Sequence, residues 1–170
     1  MSQTLEAHTN APELNPLDSV EDVLRDNNWI YSRMNSDELL VDVTGSVFGY
    51  RLFFAWQEHM NAMQIVCQMD CTIPENNLNL AMETLMNVNR SMWMGHFELT
   101  QDTHAPCFRY TCLLHDRNNE TNVYANIQDI VDICMAQCEQ HQTVFQMLSS
   151  EEALNIQTLS LAMMETVGES

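Results

Sequence analysis

From Leu39 to Cys71 the chain alternates apolar and polar residues with a period of two. A helix laid over that stretch would scatter its apolar groups around the axis, so the segment must be β. Leu39, Val41 and Val43 form the first apolar row. Phe48, Tyr50, Leu52, Phe54 and Trp56 form the second, and Met63, Ile65, Cys67, Met69 and Cys71 the third. The interleaved residues are mostly polar, which gives strands with one face on a core and one largely wet. Only Gly45 to Gly49 and Gln57 to Asn61 separate the rows, predicting an antiparallel meander.

The period changes at Pro74. Leu78, Ala81, Leu85, Val88 and Met92 step by three and four, predicting a helix of about five turns that ends near Gly95. Two more strands follow, His96 to Thr100 and a row of Phe108, Tyr110, Cys112 and Leu114, joined through Asp102 to Pro106. From Val123 a long helix carries Ile127, Ile130, Val131, Cys134, Cys138, His141, Phe145 and Leu148 on one stripe. Asn15-Pro16 reads as an N-cap with proline in the first helical position, opening a short helix to about Asn27. Ser149-Ser150-Glu151-Glu152 has capping-box spacing and predicts a last helix through about Thr166. The order is α-β-β-β-α-β-β-α-α, with a possible small strand at Trp29 to Met34. It describes one α+β domain, an antiparallel sheet of about five strands with helices packed on it. Residues 1–14 read as a flexible leader, 15–148 as the domain, and 149–170 as a C-terminal helix and tail attached to it.

Charge narrows the function. The chain has 24 acidic residues against six arginines, no lysine and a formal charge of −18. Without lysine there is no P-loop lysine and no lysine Schiff base. Four glycines without G-x-G-x-x-G or G-x-S-x-G leave no dinucleotide fingerprint and no nucleophile elbow. The acidity opposes nucleic acid and anionic membrane surfaces. The first cation is Arg25, and the longest apolar run is Leu52 to Trp56, so we expect a cytoplasmic protein with reduced thiols.

Six cysteines and six histidines raise a metal question. Cys67 and Cys71 would lie about 13 Å apart along a strand, and Cys107 and Cys112 would face opposite ways. Cys134, Cys138 and His141 share a helical face, but that face is the apolar stripe, where thiols pack as small hydrophobes. Packing is the expectation, and a thiol or zinc-binding module on those three residues the alternative. Cys112 with His115, or Cys107 with His104, has no cationic cluster that would activate a thiol. No cofactor is expected. Met82, Met86, Met92, Met94, Met163 and Met164 either fill the core or form an adaptable apolar surface.

The chain resembles the bacterial YbjN family, described as sensory transduction regulators, and most of all its alphaproteobacterial members. The resemblance rests on Asn28-Trp29 through Arg33, Tyr50-Arg51-Leu52-Phe53-Phe54-Ala55-Trp56, and Met92-Trp93-Met94-Gly95-His96-Phe97-Glu98. It continues through Phe108-Arg109, Val131-Asp132-Ile133, Cys138-Glu139, Phe145-Gln146 and Thr166-Val167-Gly168-Glu169. It implies an architecture similar to the dimeric type III secretion chaperones, which are not enzymes and hold extended client segments. The resulting expectation is a non-enzymatic regulator or chaperone-like module that forms a homodimer and binds a client protein or peptide. Candidate contact residues are Met86, Trp93, Met94 and Phe97. Arg51 and Arg109 are expected to pair with carboxylates across the sheet or to receive a client carboxylate.

Overall fold

The computed structural model describes residues 14–115, 119–151, 154 and 156–167. Helix α1 (Pro16–Asp26) opens as its sequence requires, with the Asn15 side chain accepting from the Leu17 N–H and proline in the first turn. Strands β1 (Tyr31–Arg33), β2 (Glu38–Thr44), β3 (Gly49–Gln57) and β4 (Ala62–Met69) form the antiparallel meander. Helix α2 (Leu78–Ser91) follows, then β5 (His96–Leu99), β6 (Pro106–Leu113), the long α3 (Glu120–Leu148) and α4 (Ile156–Val167). The sheet has six strands in the order β1-β2-β3-β4-β6-β5, every neighbouring pair antiparallel. The sixth strand is β1, which lies within the Trp29 to Met34 segment.

One face of the sheet carries the apolar rows. Leu39 and Val41 of β2, Tyr50, Leu52, Phe54 and Trp56 of β3, and Met63, Ile65, Cys67 and Met69 of β4 are all buried. The apolar stripe of α3 and Leu17, Val20, Val23 and Leu24 of α1 complete that core. Leu159 and Ala162 of α4 join it. The opposite face, with Leu40, Arg51, Phe53, Gln64 and Val66, belongs to none of this packing, and none of these residues is fully buried.

Helix α3 starts at Glu120, three residues before the Val123 of the sequence reading, and two further helix boundaries differ. Helix α2 stops at Ser91, with Met92 already extended, four residues short of Gly95. Gly95 has another task. At φ +70° it turns the chain into β5, and a Cβ there would lie 2.3 Å from Cζ of Phe108. The capping-box reading of Ser149 to Glu152 also fails, because α4 begins only at Ile156. Ser149 instead closes α3, its N–H donating to the Phe145 carbonyl. The buried Asn77 side chain donates to the carbonyls of Leu148 and Ser150, both at 2.9 Å, so these serines end a helix. Glu152 and residues 1–13 of the expected leader lie outside the described residues.

Asn89 of α2 performs a related service for the sheet. Its Nδ2 donates to the Phe97 carbonyl at 2.8 Å, and its Oδ1 accepts from the Phe97 N–H at 2.7 Å. Those are the backbone groups of Phe97 that edge strand β5 would otherwise turn outward. A helix side chain stands where another strand would pair.

Candidate functional site

The four residues expected to form one contact cluster separate in the structure. Phe97 is a core residue, 2% exposed, and this corrects its place among the surface candidates. Its pairing with Phe108 puts it on the helix-covered face. There its ring meets Phe108, His141 and Phe145 with centroids 5.2, 5.1 and 5.0 Å apart. Trp93, in the connection after α2, is 98% exposed. Met82 and Met86 on α2 and Met94 beside Trp93 are exposed as well. On α4, Leu161 and Met164 are exposed in turn.

Between α2 and α4 runs an apolar groove of about 440 Å³ lined by Asn87, Val88, Ser91, Ser160, Met163 and Met164, with His141 of α3 also lining it. The chemistry of its walls is unusual for this protein. Glu83, Arg90 and Glu165 are the only charged residues in the two helices, in a chain that carries −18. Methionine on such a surface adapts to the shape of whatever covers it. The sequence contained this signal as uncharged stretches at residues 91–97 and 153–164.

His141 Nδ1 donates to the Gln137 carbonyl at 2.9 Å, which fixes the neutral tautomer. Burial outweighs that bond and holds the imidazole below its usual 6.5. A depressed histidine stabilises the fold while neutral. Its contribution is therefore complete above about pH 6.5 and is lost as pH falls toward the folded-state value. Unfolding free energies between pH 7 and 5 should fall more steeply in the native protein than in His141→Gln. The excess slope is bounded by about 1.4 kcal/mol per pH unit for one proton. Parallel profiles would show that His141 is not desolvated.

The thiol alternative does not assemble. Among the described residues no three His, Cys, Asp or Glu side chains converge on a common point. His141 turns to the Gln137 carbonyl and the ring of Phe97, while Cys138 Sγ lies 3.9 Å from the Cys67 carbonyl. Cys134 and Cys138 are fully buried. Contact with Cys67 and burial push the Cys138 thiol well up, and burial does the same to Cys134. Burial raises Cys71 and Cys107 to about 12. None is poised as a nucleophile. N-ethylmaleimide should label Cys134 and Cys138 in the native state on the order of a thousandfold more slowly than in urea, read by mass spectrometry of timed aliquots. Labelling at the free-thiol rate would show that the core opens readily.

Arg51 and Arg109 both lie on the face of the sheet away from the helices, and both pair with carboxylates. Arg51 Nε donates to Asp42 Oδ1 at 2.8 Å and Nη2 to Oδ2 at 3.3 Å, between directly opposed residues. The Arg51 hydrogen bond holds the Asp42 carboxyl below its usual range. Arg109 Nε donates to Glu98 Oε1 at 2.9 Å, and its Nη1 to the Gln64 side chain. Burial would raise the Glu98 carboxyl, but Arg109 and His96 together outweigh it and the net shift is downward.

A family described as "Putative bacterial sensory transduction regulator" matches residues 16–147, from the first turn of α1 almost to the end of α3. The chain belongs to the YbjN family. Among solved structures it is similar to YbjN from E. coli at 11% identity and a TM-score of 0.44, covering 74% of this chain and 93% of that one. No curated protein matches it. The YbjN match spans the sheet, α2 and α3 and stops short of α4, so one wall of the groove lies beyond it. Among the described residues no helix is long and apolar enough to cross a membrane.

Proposed function

We propose that this YbjN-family protein is a non-enzymatic cytoplasmic regulator that works by binding proteins, and that its first partner is a second copy of itself. The observation that carries the reading is the exposed apolar face of α2, Trp93 and α4, nearly free of charge on a strongly acidic chain. Two copies at −18 repel wherever carboxylates meet, so they can approach closely only through a face that lacks them. Exposed methionine and tryptophan supply the area and the anchor. The same acidity argues against regulation by direct contact with a nucleic-acid backbone.

The resemblance to type III secretion chaperones supports this reading, since those proteins dimerise and hold segments of other proteins without catalysing a reaction. A chaperone-like hold on a client peptide is the finer form of the proposal. Light scattering across a salt series tests self-association. We expect a mass of twice 19.6 kDa at physiological salt, with association strengthening as salt screens the repulsion. A mass near 19.6 kDa at every ionic strength and micromolar protein would reject it.

A further inference from the structure

The sheet face turned away from the helices has its own pattern. Leu40, Phe53 and Val66 are directly opposed on β2, β3 and β4, making one apolar row across the open face. Strands lie about 4.8 Å apart, so the row spans roughly 10 Å, close to two turns of a helix. One row further along come Asp42, Arg51 and Gln68. These residues, with Thr44, Gly49 and Asp70, line a polar hollow of about 310 Å³. At the β6 end of the same row, directly opposite Val66, Arg109 is held by Glu98 and Gln64.

The charges decide what fits. Both arginines of this face are already engaged by carboxylates, which offsets the positive charge that a client carboxylate would need. In the hollow, Asp42 and Asp70 both act on the single guanidinium of Arg51, leaving one negative charge in excess. Glu38 adds another carboxylate beside the row. An apolar strip rimmed by surplus carboxylate accepts an apolar stripe flanked by cations.

We propose that the open face of the sheet docks a basic amphipathic segment of a partner protein, its apolar side chains on Leu40, Phe53 and Val66 and a cation in the hollow at Asp42 and Asp70. This deepens the protein-binding reading above, but it uses the opposite side of the molecule from the contact between copies. The two surfaces therefore respond oppositely to salt. Screening weakens attraction between the rim and a basic segment, whereas it strengthens association of two acidic copies.

The test uses the full chain with a fluorescently labelled amphipathic leucine–lysine peptide and its leucine–glutamate counterpart, followed by anisotropy. The leucine–lysine peptide should bind and weaken as salt rises, and the leucine–glutamate peptide should not bind. Phe53→Ser, and separately the pair Asp42→Asn with Asp70→Asn, should each weaken binding on the order of tenfold. Asp129→Asn with Glu139→Gln removes as much charge from exposed positions on α3 and should leave affinity unchanged. Equal losses from both charge-removing pairs would reduce the effect to net charge and overturn the proposal. So would peptide binding lost in Trp93→Ser but kept in Phe53→Ser, or self-association lost in Phe53→Ser. Should Phe53→Ser not fold, the surface carboxylate variants decide, since the exposed ion pair they break contributes little to stability. Peptide binding that survives in a protein monomeric at every salt would sink only the self-association reading.

Discussion

Phe97→Ala will lower the free energy of unfolding by about 3–5 kcal/mol, the range for truncating a buried aromatic residue. That is a large share of the stability of a domain this size. The side chain is 2% exposed and meets three rings, so its removal leaves a cavity whose walls belong to β6 and α3. Relaxation is restricted, because the backbone of Phe97 is held on one side by β6 and on the other by Asn89. Urea denaturation at neutral pH measures the effect. A loss below about 1 kcal/mol would mean the site collapses freely and the aromatic cluster is not a keystone of the core.

Trp93, four residues earlier, should behave in the opposite way. Trp93→Ser with Met86→Ser should leave the unfolding free energy within about 0.5 kcal/mol, because neither side chain is buried in the monomer. The same pair should weaken self-association on the order of a hundredfold, since central aromatic anchors carry much of an interface's energy. Sedimentation equilibrium of native and doubly substituted protein reads the difference. A double variant that associates as tightly as the native chain would place the contact between copies elsewhere.

The contrast between these two residues shows how much of the protein is legible in its sequence. Met86, Trp93, Met94 and Phe97 read as one apolar cluster, and nothing in the order of side chains says which are covered. The covering follows from register. Phe97 pairs with Phe108 and so shares the face under α3, whereas Trp93 belongs to the connection. The meander and α3 were legible because alternation and the helical stripe each run over many residues, so single exceptions do not blur the period. The end of α3 depends on a long-range bond, which leaves no local trace. Asn77 finishing α3 acts across 71 residues, and Asn89 holds Phe97 after α2 has already ended. The pairing of Arg51 was legible from the types of residue alone. That Arg51 lies beside, and Arg109 at the end of, a single apolar row was not, because the row exists only once the strands are in register.

The clamp of Asn89 on Phe97 has a consequence for crowding. A six-stranded sheet with a free margin can recruit a strand from any neighbour, and strand addition has no natural end point. Here one margin has its central pair of hydrogen-bonding groups satisfied from within the chain. The other margin is only three residues long, and its Arg33 is tied to Glu21 and Asp18 of α1. Both devices oppose stacking edge to edge into fibres. The proposed contact through α2, Trp93 and α4 would use a face rather than an edge, and a contact of one face with its own copy closes on a two-fold axis and stops.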